Sequence, residues 1–349
     1  MSISSAASAT GPTDRSHGVW LTSPSVVRAA TTLEGMSGST RTAYGYGLQS
    51  VARDGTILDT WFPSPALGEP GPKFDPFILP QDIEHQERDD ALLEVKKVGV
   101  GVVIDLDQPP TSVPDAFLRL HLLSHTLVAP NSINLEGLFG VLHIVAWSSH
   151  GPIHPEVLET KRPELQAHGV QVSGIDKFPP MLNYVTPSGV RIADASRVRL
   201  GAHLASGTTV MHEGFVNFNA GTLGQSMVEG RISQGVVVDT GSDIGGGASV
   251  MGTLSGGGTE VVSIGKRCLL GANAGIGISL GDDCVVEAGL YVTAGTKVTV
   301  IRSDDQQVVK AGTLSGVSGL LYRRNSQSGA VEVVPRSGDG IALNDALHA

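Results

Sequence analysis

The chain has 349 residues, 40% of them hydrophobic, with 34 acidic side chains against 24 basic ones and a formal charge of −10. That acidic balance gives no electrostatic support to nucleic-acid binding, and no apolar run approaches the roughly 18 residues of a membrane-spanning helix. Two cysteines are too few for a disulfide framework and suit a reducing, cytoplasmic setting.

Residues 1–42 are rich in Ser, Thr, Ala and Gly and show no periodicity, so they are expected to form a tail without fixed structure. They lack the apolar centre of a signal peptide, and Met36 offers an alternative start. From Ala43 the texture changes. YGYGLQSVARDGTILDTWFP reads as two strands turning at Asp54-Gly55. Residues 67–90, with Pro70, Pro72, Pro76 and Pro80, read as loop. LLEVKKVGVGVVIDL (92–106) is strand-like, and DAFLRLHLLSHTLV, opened by Pro114, is a helix expected to run on to Pro130. LFGVLHIVAW (138–147) reads as a buried strand, and 155–168 as a surface helix ended by Gly169. Together, residues 43–185 make an α/β domain.

From Ile192 to Val298 the chain counts in sixes. Ile192, Val198, Leu204, Val210, Val216, Thr222 and Val228 are six apart. The rhythm slips by four to Ile232, continues through Val238, Ile244 and Val250, and returns at Ile264, Leu270 and Ile276. It slips by four again to Leu280, then runs through Val286, Val292 and Val298. Four residues after most of these positions stands a small one, among them Cys268 and Cys284. A period of six is neither helical nor simply alternating. It fits a short extended segment and a corner, three of which close a triangular coil of about eighteen residues. The aliphatic residue points inward, where burial is worth roughly 1.5–3 kcal/mol. Residues 186–300 are therefore a parallel β-helix of hexapeptide repeats. Residues 252–260, GTLSGGGTE, break the phase and read as a loop thrown out from a coil. After Val298 the sixes end. Residues 302–312 read as an excursion and LLYRRNSQSGAVEVVP as strand, turn and strand, so that 301–349 form a small β cap over the last coil.

The chemistry-bearing residues of this stretch are few. Its glycine clusters match neither the dinucleotide fingerprint nor a P-loop and read as corner residues. Three histidine zinc ligands, as a carbonic anhydrase of this architecture needs, are lacking, since the prism holds only His203 and His212. Either is a candidate general base, with a structural role the plainer reading. Among the carboxylates, Glu229 stands out: it follows the inward Val228 at the break in phase and precedes Gly230-Arg231, where a side chain is free to face a neighbouring subunit.

Several long stretches then converge. FLRLHLLSH (117–125), GIDKFPPMLNYVTPSGVRIAD (174–194), VMHEGFVNFNAGTLGQSMVEGRIS (210–233), MGTLSGGG (251–258), GKRCLLGAN (265–273), SLGDDCVVEAGLYVTAGTKV (279–298) and LYRRNSQSGAVEV (321–333) resemble the tetrahydrodipicolinate N-succinyltransferase family in its actinobacterial form. The resemblance covers the chain from about Ala43 onward, except the loop near 67–90. It implies a left-handed parallel β-helix and a homotrimer with active sites between neighbouring prisms. It also implies transfer of succinyl from succinyl-CoA, as co-substrate, to the amino group of L-2-amino-6-oxopimelate, on the diaminopimelate route to lysine.

By the same resemblance, Glu229 in MVEGRIS is the catalytic residue, as general base or as the nucleophile of an acyl anhydride, and Arg231 binds a ligand carboxylate. Gly246, Ser249, Ala272, Glu287, Ala288, Gly295 and Lys310 are the positions lining the acyl-CoA groove. The RRNS motif, Arg323, Arg324, Asn325 and Ser326, is expected to meet the anionic CoA tail rather than form only a solvated turn. The family places an Asp and a Glu near the trimer axis to hold Mg²⁺ or Ca²⁺. Here Glu213 is present and Ser196 replaces the aspartate, so a weaker axial ion, or none, is expected, with Asp194 as partial compensation. The alternatives are a hexapeptide-repeat acyltransferase with another donor or amine acceptor and a non-catalytic trimeric scaffold. Partners are expected to be small-molecule substrates and copies of the chain, not nucleic acid or membrane.

Overall fold

The computed structural model describes residues 41–255, 259–301 and 306–336. The expected tail up to residue 40, Gly256–Gly258 of the thrown-out loop, residues 302–305 of the excursion and the end of the cap from 337 lie outside the described residues. Among the described residues no helix is long and apolar enough to cross a membrane.

The N-terminal domain is an antiparallel sheet backed by a helix. Strand β1 (Thr42–Ala52) lies at its centre, with β2 (Ile57–Trp61) and the short β3 (Ala66–Leu67) paired to it. The β1–β2 turn falls where Asp54-Gly55 calls for it, with Gly55 at φ +90°. The loop-like stretch is more ordered than its prolines suggest: α1 (Gln81–Glu84) and β4 (Arg88–Asp90) form within it, β4 pairing with β5 (Val95–Asp105). Helix α2 (Val113–Ser124) is capped by Ser112, whose hydroxyl accepts from the Asp115 N–H. It stops short of Pro130, because Thr126 turns into the left-handed region at φ +56°. All of α2 is buried, including Arg119, whose guanidinium donates to Asp115 Oδ1 at 2.7 Å and to the carbonyls of Asp105 and Asn134 at 2.8 Å. Residues 138–147 are not one strand. Gly137 (φ +75°) starts a helical turn, α3 (Leu138–Val141), and only β6 (Val145–Ser148) is extended. Strands β7 (Gly151–Ile153) and β8 (Val172–Asp176) flank β6, and α4 (Pro155–Ala167) links them.

The prism follows the sixes. Its first face stacks strands Arg191–Ile192, Thr208–Val210, Ser226–Val228, Ser242–Ile244, Leu269–Leu270 and Val285–Val286 in parallel. The second stacks Phe215–Val216, Arg231–Ile232, Ser249–Val250, Gly275–Gly277 and Tyr291–Thr293. The third holds His203–Leu204, Gly221–Thr222, Val237–Val238 and Ser263–Ile264. This is a left-handed parallel β-helix. Apart from the half-buried Ile192 of the first coil, the inward aliphatics are buried, and the one polar member, Thr222, meets the Thr208 hydroxyl at 2.6 Å inside the prism. Cys268 and Cys284 are buried in their small-residue slots as free thiols, Cys268 donating to the Gly281 carbonyl at 3.0 Å.

The cap does more than cover an edge. Its hairpin, Leu320–Arg324 with Val331–Pro335, continues the first face by pairing Leu321 with Val285 and Tyr322 with Val286. Strand Lys297–Ile301 joins the same sheet, and Gln306–Lys310 pairs with it.

Candidate active site

The slip of four after Val228 has a direct structural consequence. Elsewhere the corner from first to second face takes five residues, as in 211–215 or 245–249. After Val228 it takes three, Glu229-Gly230-Arg231, so Val216 pairs with Ile232 only sixteen residues on. The shortened corner is drawn in between its neighbours. Its room is tight: a Cβ on Gly230 would stand 2.6 Å from the Ala248 carbonyl oxygen, and one on Gly214 2.3 Å from that of Val228. Only glycine lets the three corners stack this closely.

Glu229 is thereby held in a notch. Its backbone N–H donates to Ile244 at 2.8 Å, and its half-buried side chain reaches across Gly246, where a Cβ would lie 3.4 Å from Oε2. Its carboxylate takes no hydrogen bond or ion pair from the other described residues. Beside it, the exposed Arg231 donates from Nη2 to Ser249 Oγ at 2.7 Å, fixing one end of the guanidinium and leaving its other N–H groups outward.

The same edge collects most of the other expected residues. Ascending from Glu213, it passes Glu229, Gly246, Ala272, then Glu287 and Ala288, all but Glu229 and Gly246 being exposed. Glu287 Oε2 accepts from the Arg324 N–H at 2.5 Å, which brings the RRNS turn onto the top of this edge. Within the turn, roles divide. Arg323 pairs with Glu332 at 2.9 Å and Asn325 Nδ2 donates to Glu332 Oε1 at 2.7 Å, so these two close the hairpin. Arg324 and Ser326 are exposed. Gly295 and Lys310 are not on this edge. Gly295 lies in the turn between the second-face strand Tyr291–Thr293 and Lys297–Ile301, and Lys310 lies beside it, paired in register with Lys297.

Two residues not anticipated from the sequence stand on the second face beside this edge, Phe215 next to the notch and Tyr291 three coils above it. Outward positions there run Phe215, Arg231, Ser249, Gly275, Tyr291. The Tyr291 ring lies flat over Gly275, within 2.5 Å of where a Cβ would be, and Phe215 lies below Arg231. The sixteen-residue spacing from Gly275 to Tyr291 was the available signal. The histidine candidates separate. His203 is buried, its Nδ1 bonded to the Val128 carbonyl at 3.0 Å, and burial lowers its basicity, so it is structural. His212 is exposed beside Glu213, one coil below Glu229. Near the expected axis, Ser196 Oγ donates to Asp194 Oδ1 at 2.7 Å. That hydrogen bond, the Ser196 N–H and, more weakly, Arg197 hold Asp194 below the usual carboxylate range.

Two family models match the chain: the middle region of tetrahydrodipicolinate N-succinyltransferase over residues 142–179, and the hexapeptide repeat of succinyl-transferase over residues 261–294. A 2,3,4,5-tetrahydropyridine-2,6-dicarboxylate N-succinyltransferase of Vibrio cholerae is 48% identical over 337 residues, 88% of this chain and 98% of its own length. The chain belongs to the tetrahydrodipicolinate N-succinyltransferase family. A relative of the same name from Pseudomonas paraeruginosa is 55% identical over 262 residues, covering 74% of this chain and 76% of that one. In three dimensions this N-succinyltransferase fold is similar to the crystal structure of a 2,3,4,5-tetrahydropyridine-2-carboxylate N-succinyltransferase from Campylobacter jejuni. The two agree with a TM-score of 0.72 and 34% identity over 86% of this chain and 94% of the other.

Proposed function

We propose that this chain transfers succinyl from succinyl-CoA to the amino group of L-2-amino-6-oxopimelate, giving N-succinyl-2-amino-6-oxopimelate and CoA, with Glu229 as the general base. The observation that supports the assignment most is the three-residue corner. It recesses one carboxylate, with no internal partner, between a glycine floor and an arginine.

The substrate amine is an ammonium at neutral pH and cannot attack a thioester until a base removes its proton. Glu229, free of internal hydrogen bonds, has both oxygens available for that N–H. The amine nitrogen then bonds to the thioester carbonyl carbon, the C–S bond breaks, and the thiolate leaves as CoA. Arg231, steadied by Ser249, forks onto a carboxylate of the acceptor or of the succinyl group, a charged hydrogen bond worth roughly 1.5–3 kcal/mol. From the coil of Glu229 to that of Glu287 is three steps of strand spacing, about 14 Å. A pantetheine arm laid along Gly246, Ala272 and Ala288 therefore ends beside Arg324, a cation for the CoA phosphates. Gly295 and Lys310, away from this edge beside the cap, join the groove only if a second prism stands alongside, which favours a homotrimer with each site shared between two copies.

Each copy brings one free carboxylate, Glu213, toward the expected axis, since Asp194 is engaged by Ser196. An axial Mg²⁺ or Ca²⁺ is accordingly held weakly or not at all. Two unpaired, buried cysteines suit a cytoplasmic enzyme.

The test is a thiol-release assay with L-2-amino-6-oxopimelate, comparing succinyl-CoA with acetyl-CoA. Succinyl-CoA is expected to be the preferred donor. Equal rates would place the chain with acyltransferases of another donor. Mixing enzyme with succinyl-CoA alone should release no stoichiometric burst of CoA; a burst would make Glu229 the nucleophile instead.

A further inference from the structure

A separate cleft of about 480 Å³ opens in the N-terminal domain, far in sequence from the prism edge. It lies on the face of the β1–β2 sheet opposite α2, and strand alternation decides what points into it: Asp59, Trp61 and Lys97 from the sheet, with Trp147 from β6 and Tyr184 closing the other side.

Its charges are unusual. Arg88 of β4 and Lys97 of β5 are directly opposite in register, and both line the cleft. Like charges facing each other across an antiparallel pair are destabilising. The next register position, on the other face, pairs Asp89 with Lys96 as expected. Arg88 and Lys97 find only neutral acceptors: Nη1 of Arg88 donates to the Gln86 carbonyl at 3.3 Å, and Nζ of Lys97 to Ser50 Oγ at 2.5 Å. Among the described residues neither ion-pairs with a carboxylate.

Across from them sits a single acid. Asp59 is 3% exposed and accepts from the Ser50 N–H at 3.1 Å and the Tyr184 hydroxyl at 2.6 Å. The indole N–H groups are used elsewhere, that of Trp61 on the Tyr184 carbonyl at 3.2 Å and that of Trp147 on Asp176 at 2.9 Å. What the tryptophans offer a ligand is carbon surface. Two cations, one carboxylate and apolar walls match a small molecule with two carboxylates, one ammonium and a short methylene chain, whose net charge complements the cleft.

We propose that this cleft binds a small acidic α-amino acid, its carboxylates on Arg88 and Lys97, its ammonium toward Asp59, and its methylenes between Trp61 and Trp147. The site is distinct from the notch of Glu229 and does not depend on the reaction assigned there.

The experiment is isothermal titration of the full chain with L-glutamate and, separately, with glutarate, which lacks the ammonium. Glutamate is expected to bind, and glutarate to bind at least about tenfold more weakly. Arg88→Gln and Lys97→Gln, at a rim where neither side chain holds the fold, should each weaken glutamate roughly ten- to a hundredfold. Arg231→Ala should leave it unchanged. The proposal is overturned if glutamate fails to bind at millimolar concentration, if glutarate binds equally well, if both rim variants titrate like the wild type, or if Arg231→Ala is the change that abolishes binding.

Discussion

Gly230→Ala probes the shortened corner with a single methyl group. The added carbon would stand 2.6 Å from the Ala248 carbonyl oxygen, 2.8 Å from Ile244 Cγ2 and 2.9 Å from the Gly245 carbonyl oxygen. Two of these are backbone atoms of the coil above, so no rotamer relieves them. Carbon contacts settle near 3.5–4.0 Å, so the corner must move outward by up to about an ångström. Overpacking of this kind costs roughly 1–3 kcal/mol. The corner carries Glu229 on one side and Arg231 on the other, and a misplacement of about 1 Å at a reacting group costs on the order of 10²-fold in rate. Urea denaturation and the thiol-release assay read the two effects separately. Gly174→Ala, where nothing lies within 4 Å, is the control and should move neither. If Gly230→Ala has wild-type stability and turnover, the claim that this corner is recessed under strain-free glycine packing is wrong.

Other variants test the scaffold. Arg119→Ala removes a fully buried guanidinium, leaving the Asp115 carboxylate without its cation and three carbonyls without that donor; it should destabilise by roughly 3–5 kcal/mol in urea melts, whereas a cost under about 1 kcal/mol would deny the buried pair its role. Burial holds His121 at about 3, outweighing its hydrogen bond to the Phe117 carbonyl, while the unfolded chain takes up that proton near 6.5. Its contribution is therefore full above pH 6.5 and is lost as pH falls from there toward 3, by up to about 1.4 kcal/mol per pH unit. The urea midpoint should drop across that window, and His121→Asn should flatten the drop; identical slopes would exclude His121 as its source. Calorimetric titration with Mg²⁺ and Ca²⁺ should show weak binding or none, and a tight site with one ion per three chains would contradict the reading of Ser196 and Glu213.

The prism was legible because its signal is one-dimensional. Inward Val210, Val228 and Ile244 are recurring aliphatics, and a slip of four can only mean a shorter corner, so Glu229 could be marked before any coordinates. The hairpin at Asp54-Gly55 and the end of α4 at Gly169 were legible for a similar reason, since each rests on a residue suited to its backbone angle. The misreadings share another cause. At 138–147 an apolar run hid a helical turn begun by Gly137, and short apolar runs do not report their own conformation. Helix α2 ended early because Thr126 turns left-handed, which its side chain does not announce. The grouping of site residues was only half visible. Spacing puts Gly246, Ala272 and Ala288 on one edge, but that Arg323 closes a hairpin on Glu332 while Arg324 reaches Glu287 depends on contacts across the cap. The N-terminal cleft was invisible, since it assembles Asp59, Arg88, Trp147 and Tyr184 from four separated segments.

The most direct measurement is steady-state thiol release from succinyl-CoA by Glu229→Gln, which keeps the shape of the side chain over Gly246 and removes its basicity. The account predicts a fall in kcat of at least about 10²-fold with the fold and assembly unchanged. Near wild-type turnover would contradict it and move the chemistry away from the notch.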